Sequence, residues 1–166
     1  LYNGMGGGAA AAVAAVELSA RGASSAVILA VTAAGALIGS ISLTGSVIAW
    51  AKLDGKIRKP FRFGRQRFVN GMLFVVTVLL GIALVVFFDS RALPLLAVLF
   101  FLGALAFGIM MTLPIGGADM PVVISLYNAF TGLAVGLEGY ALQNPALMIA
   151  GMVVGSAGTL LTVLMA

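Results

Sequence analysis

The stretch Ile115-Gly-Gly-Ala-Asp-Met-Pro-Val-Val-Ile-Ser-Leu-Tyr-Asn128 turns out of a glycine loop into an apolar run. Asp119 is a good helix N-cap, and Met120-Pro121 follow it where proline is tolerated, because first-turn amides have no intrahelical partner. A helix therefore starts at Asp119. Nine residues on, at about 1.5 Å per residue, Asn128 lies about 13 Å inside, near the middle of a hydrocarbon core about 30 Å thick. A side-chain amide at that depth is costly unless it has a partner.

Composition shows that a hydrocarbon core is the right frame. Hydrophobic residues make up 62% of the chain and charged residues 8%, and apolar runs of about twenty residues recur with few interruptions. The expected fold class is all-α, a polytopic transmembrane helix bundle of six spans forming one domain over residues 1–166. There is no cysteine and no histidine, which excludes disulfides, thiolate chemistry and the usual zinc sites within this chain. The net charge of +4 does not point to nucleic acid, because most of the positive charge sits in one loop, where it reports topology. The chain opens on Leu1-Tyr-Asn inside an apolar helix, without an initiator methionine or a signal-peptide pattern. It is therefore expected to be a piece of a longer protein.

From Tyr2 to about Leu18 the first helix is dominated by Gly4, Gly6, Gly7, Gly8 and alanines. Such glycine density costs a soluble helix about 1 kcal/mol per residue, but in lipid small residues let backbones approach closely. Glu17, Arg21, Ser24 and Ser25 mark a polar turn. The second helix is expected from about Ala23 to Ala51, with Gly35, Gly39, Ser42 and Ser46 on one face as a packing seam. Seven of the nine basic residues then fall between Lys52 and Arg67. The positive-inside rule makes this loop cytoplasmic. A third helix over about Phe68 to Phe88 and a fourth over Leu93 to Thr112 look lipid-facing, joined by the Asp89-Ser-Arg-Ala turn. Counting crossings returns the Leu113 to Ala118 loop to the cytoplasm. The fifth helix, Asp119 to about Leu142, exits near Glu138 and Tyr140, and the sixth runs from Pro145 back to the cytoplasmic side.

Several polar positions are candidates for chemistry. Asn128 shares a face with Ser125, Gly132 and Gly139, and its amide could glue two helices as readily as line a path. Ser156, in the small-xxx-small run Gly151 to Gly158, lies near the same depth as Asn128, although its hydroxyl could instead bond its own helix at the i−4 carbonyl. Asn3 falls in the inner half of the first helix. Asp119 needs no explanation beyond its cap, and Glu138, about 28 Å along the same helix, reads as solvated at the far interface. Gly6-Gly7-Gly8 lacks the preceding strand and following acidic residue of a dinucleotide fingerprint. Spacing alone leaves a channel, a transporter or a membrane anchor open.

Gly116-Gly-Ala-Asp119-Met-Pro-Val-Val, followed by Leu126-Tyr-Asn128-Ala-Phe-Thr-Gly132, resembles the membrane domain of the beta subunit of proton-translocating nicotinamide nucleotide transhydrogenases. Thr44-Gly-Ser-Val-Ile-Ala-Trp-Ala-Lys-Leu-Asp-Gly-Lys56 and Val154-Gly-Ser-Ala-Gly158 carry the same resemblance. It implies a membrane enzyme, in a bacterial inner membrane, that couples inward proton movement to hydride transfer from NADH to NADP. It further implies that NAD(H) and NADP(H) bind soluble domains and not this fragment, which would hold no hydride-transfer site. The implied partners are the membrane helices of an alpha subunit and a second copy of the whole assembly. By motif, Asn128 with Ser125, Ser156 and Asn3 belongs to the proton path. Asp119 belongs to the region that communicates with the NADP(H) domain, and Gly132, Gly155 and Gly158 to packing along the path. Asn3 stands where other members carry a histidine, and a carboxamide does not titrate near neutral pH. The proton would then travel by water held among Asn3, Asn128 and Ser156, or use a histidine of a partner helix. The competing reading is a structural anchor or a passive ion channel subunit.

Overall fold

The computed structural model describes residues 1–19 and 25–166. Six α-helices account for most of it: α1 (Tyr2–Ser19), α2 (Ala26–Leu53), α3 (Gln66–Val86), α4 (Leu93–Thr112), α5 (Met120–Ala141) and α6 (Pro145–Met165). No strand occurs among the described residues. Five helices, α2 to α6, are long and apolar enough to cross a membrane. The expected count of six spans is thus met by five, because α1 owes its length to glycine and alanine and not to strongly apolar side chains. Of the polar turn expected after α1, Arg21 and Ser24 lie outside the described residues. Ser25 caps α2, its Oγ accepting from the Ile28 amide at 3.3 Å.

Local chemistry sets the helix ends. At α6 the Asn144 side chain accepts from the amides of Ala146 and Leu147, and Pro145 takes the first helical position, where no amide is needed. Pro121 takes the second position of α5, still within the first turn, and that helix is entered through a 3₁₀ turn over Gly117–Asp119. Asp119 occupies the N-cap position of α5 but makes no side-chain cap bond. Its carboxylate stays exposed. This differs from the expectation of a capping carboxylate: its backbone is already helical, φ −86° and ψ −1°, whereas a capping side chain folds back from an extended residue.

The helices alternate in direction. Gly7 meets Gly39 and Gly4 meets Ser46, which runs α1 antiparallel to α2. Gly35 faces Glu138 and Gly45 faces Tyr127, so α2 is antiparallel to α5, and Gly132 against Gly155 with Gly158 against Ala129 sets α5 antiparallel to α6. One end of the bundle therefore gathers the 54–65 loop, the 113–119 loop and the two chain ends. The other end gathers the α3–α4 and α5–α6 turns.

α2 and α5 form the interior, and α3, α4 and α6 are mostly unburied outward. Apolar packing occurs in two layers. Leu18, Leu29, Leu84, Leu93 and Phe100 form the layer towards the α3–α4 turn, and Ile41, Ala49, Met120, Val123 and Tyr127 the layer towards the basic loop. The outer faces carry large apolar side chains such as Met72, Leu79, Leu102, Ile149 and Leu164. An outward belt of this kind without charge is the surface a bilayer solvates.

Candidate functional site

Between the two apolar layers runs a polar seam shared by α1, α2 and α5. Ser42 and Ser46 point from one face of α2, and Gly4 and Gly7 on α1 let the two backbones close to contact: a Cβ on Gly7 would stand 2.9 Å from the Gly39 carbonyl. Into this approach α1 delivers Asn3, whose Nδ2 donates to Ser46 Oγ at 2.8 Å. α5 delivers Thr131, whose Oγ1 lies 2.6 Å from Ser42 Oγ and 3.3 Å from the Asn3 carbonyl. Ser42 Oγ also reaches the Tyr127 carbonyl at 2.9 Å.

Proton counting gives this seam its chemistry. Ser42 and Thr131 own one hydroxyl proton each, yet three acceptor contacts are in reach: Tyr127 O, Asn3 O and the other hydroxyl. At most two are made at once. The pair therefore has alternative hydrogen-bond polarities, with Thr131 donating to Ser42 in one and Ser42 donating to Thr131 in the other. Asn3 Oδ1 is buried nearby and has no hydrogen-bond partner among the described residues. Below the seam, Tyr127 OH and Thr112 Oγ1 are hydrogen-bonded at 2.5 Å, and Thr112 Oγ1 donates to Gly108 O at 2.7 Å. Gly45 leaves the space that the Tyr127 ring fills.

The residues singled out in the sequence do not all meet here. Asn3 is in the seam. Asn128 lies one turn before Thr131 on α5, half-buried, and makes no side-chain hydrogen bond among the described residues. Ser125 is buried against α6 and donates to the Gly158 carbonyl at 3.1 Å. Ser156 matches Asn128 in depth but not in direction: it lines an open groove of about 960 Å³ with Phe130, Leu133, Met152 and Val163, and its hydroxyl returns to Met152 O of its own helix at 2.6 Å. Gly132, Gly155 and Gly158 lie in the α5–α6 contact, where a Cβ on Gly132 would collide with Gly155 backbone and one on Gly158 would stand 2.5 Å from the Ala129 amide. Ser42, Ser46 and Thr131 were not singled out as site residues, although serine at the i, i+4 positions of a glycine face was a visible signal.

At the end that carries the basic loop a second polar cluster forms. Lys52 is buried, and its Nζ donates to the carbonyls of Thr112 at 2.8 Å, Leu113 at 2.6 Å and Ile115. The first two are terminal carbonyls of α4, which have no intrahelical donor and sit at the negative end of the helix dipole, and Ile115 O belongs to the turn that follows. The Phe61 amide donates to Leu113 O at 3.1 Å and Arg62 Nε to Pro114 O at 3.0 Å. The basic loop is thereby tied to the turn that leads into Asp119.

The α5–α6 groove is apolar, and its Ser156 and Thr159 hydroxyls are committed to their own helix. No glycine loop follows a strand. A pyrophosphate does not fit such a lining.

An apolar-jacketed bundle crossed by an uncharged, re-orientable hydroxyl seam is an integral membrane protein with a polar interior. Comparison with known sequences makes this specific: the family description "NAD(P) transhydrogenase beta subunit" matches residues 1–166, and the chain belongs to that family. Two relatives, both named NAD(P) transhydrogenase subunit beta, come from Rhodospirillum rubrum, one of them from a designated strain. Each is 41% identical to this chain over 132 residues, covering 79% of it and 28% of the relative. The chain thus corresponds to little more than a quarter of the length of those relatives.

Proposed function

We propose that these residues form the proton-conducting membrane domain of a nicotinamide nucleotide transhydrogenase. In this reading inward proton movement through the bundle is coupled to hydride transfer from NADH to NADP, carried out on soluble domains outside residues 1–166. The observation that carries it is the Ser42–Thr131 pair with its unfilled third contact. A hydroxyl chain that can hold either polarity, next to a buried carbonyl oxygen lacking a donor, is what successive proton hops through water and hydroxyls require. Asn128, one turn away, and Ser125 extend the polar stripe of α5. Gly132, Gly155 and Gly158 hold α6 against it. The Lys52 cluster places Asp119 on an exposed turn, where an NADP(H) domain can meet it. α6 is buried only on its α5 side, which leaves its outer groove for the membrane helices of an alpha subunit, in an assembly that pairs with a second copy. The basic loop faces the cytoplasm of a bacterial inner membrane in this reading.

The test uses the complete enzyme in vesicles, with nucleotide-driven proton uptake measured beside the hydride exchange that needs no proton movement. Thr131→Val keeps shape and removes the hydroxyl. It is expected to abolish uptake and leave the exchange. A structural anchor predicts no selective loss, and a passive channel predicts conduction without nucleotide turnover. Either result in the assembled enzyme overturns the reading.

A further inference from the structure

Glu138 reads from the sequence as a solvated carboxylate, and the structure corrects that. It is 3% exposed, and both carboxylate oxygens are buried without a hydrogen-bond partner among the described residues. The side chain lies across Gly35 of α2, where a Cβ would overlap Oε1. Glycine at 35 is thus what admits the carboxyl into the α2–α5 contact. The charged group acting on it from α1 is Glu17, of the same sign. α2 brings Thr32 and Gly35 to its level and α6 brings Leu147 and Met148, none titratable. Arg21 lies outside the described residues. An ionised carboxylate in that setting has neither cation nor donor among the described residues and is costly, whereas a neutral acid is tolerated. A group that can be held only as the acid, yet has ionisable chemistry, is suited to taking up and giving away a proton.

Its position fits that use. Glu138 follows Thr131 by seven residues on α5, and Gly35 precedes Ser42 by seven on α2. The carboxyl therefore stands about 10 Å from the Ser42–Thr131 pair along both helices. Between these two levels α5 carries the small residue Ala134, and α2 carries Gly39, which packs against Gly7 and Ala11 of α1. About three or four hydrogen-bonded oxygens span that distance. Glu138 is also within one turn of the end of α5, on the side of the bundle opposite the basic loop.

We infer that Glu138 is the proton-binding site at the outer mouth of the seam, set in the α2–α5 contact by Gly35. This rests on the proposed proton-conducting role. In the step, the O–H bond of the neutral acid breaks as its proton passes to water leading to Ser42 and Thr131, and the transient carboxylate takes a proton from the outer aqueous phase, which restores the acid.

The experiment uses the complete enzyme in vesicles with Glu138→Gln, which keeps the shape, and Glu138→Met, which removes the orphaned oxygens. Both variants are expected to assemble and keep the uncoupled hydride exchange, and nucleotide-driven proton uptake should fall by about a hundredfold or more. Because an unpartnered buried polar group is replaced by an apolar one, the Met variant should unfold at or above the wild-type temperature. Uptake near the wild-type rate in either assembled variant overturns the assignment. So does failure of both variants to assemble, or a lowered unfolding temperature for the Met variant, since each makes Glu138 a structural group. Wild-type vesicles that take up no protons during turnover would sink the functional reading itself. Normal wild-type uptake with unimpaired variants would sink only the role given to Glu138.

Discussion

Lys52→Met tests whether the basic loop is anchored through the α4 terminus. Methionine keeps the apolar stem of lysine and deletes the ammonium. The wild-type Nζ makes three bonds to carbonyls, those to Thr112 and Leu113 at 2.8 and 2.6 Å. A hydrogen bond to a charged group contributes about 1.5–3 kcal/mol. The sum is reduced because burying the ammonium has its own cost and because water at the bundle end can reach some of the freed carbonyls. We expect a net loss of about 2–4 kcal/mol, a shift in the folding equilibrium of roughly thirtyfold to several hundredfold. The assay is equilibrium unfolding in detergent, combined with hydrogen exchange of the amides from Leu113 to Gly117, which should quicken first. Asn70→Ala is the internal scale. It removes one neutral bond to Met110 O at 3.2 Å and should cost about 1 kcal/mol or less. If Lys52→Met is within about 0.5 kcal/mol of wild type, the tripod is not holding the turn and the reasoning fails.

The remaining expectations concern the α5–α6 seam, Asp119, topology and Asn128. Gly132→Ala puts a methyl group into Gly155 backbone and should separate α5 from α6, whereas Gly155→Ala meets nothing closer than 3.5 Å and should be tolerated; equal thermal stability of the two would contradict the packing. Asp119→Asn should leave stability unchanged, because the carboxylate is exposed and makes no cap bond, while coupled turnover slows; unchanged turnover removes Asp119 from the coupling region. Cysteines placed at Gly64 and Met165 should label from one side of the membrane and one at Asn144 from the other, and any other pattern refutes the alternation of helices. Asn128→Leu should assemble normally, since no hydrogen bond is lost, and should lose proton uptake with hydride exchange intact; normal uptake takes Asn128 off the path.

The sequence carried axial position well and azimuth poorly. Proline and asparagine fix where α5 and α6 begin because they act on the first turn alone, and their chemistry is local. Depth follows from counting residues, so Ser156 and Asn128 were correctly set at one level. Which way each points depends on the neighbouring helices, and Ser156 turns to the outer groove. The same limit explains Glu138: its distance along α5 places it near an interface, but only the glycine at position 35, on another helix, decides that it is buried. Ser42 and Ser46 read as small packing residues because serine is both small and a hydroxyl donor, and packing was the commoner use. Lys52 counted as one of seven loop charges, although its amine turns inward onto carbonyls.

α2 and α5 carry most of the polar groups that this reading uses, with Asn3 of α1 beside them, and they run through the bundle side by side. α2 holds Lys52 at one end, Ser46 and Ser42 in the middle and Gly35 at the other end; α5 follows Asp119 with Tyr127, Thr131 and Glu138. A proton crossing a membrane potential of roughly 150–200 mV releases about 4 kcal/mol. That is of the same order as the 2–4 kcal/mol expected for the Lys52 tripod. On the proposed function, a proton-dependent displacement of α5 against α2 is large enough in energy to load or release the tripod but not to disrupt the two apolar layers, whose side chains each contribute about 1.5–3 kcal/mol. In the proposed coupling the layers keep the bundle whole while the turn before Asp119 moves. On these magnitudes Lys52→Met should do more than destabilise: it should weaken the dependence of hydride transfer on the potential, because the element that the proton works against has been removed. Full voltage dependence in a Lys52→Met enzyme that assembles would place the coupling element elsewhere in the bundle.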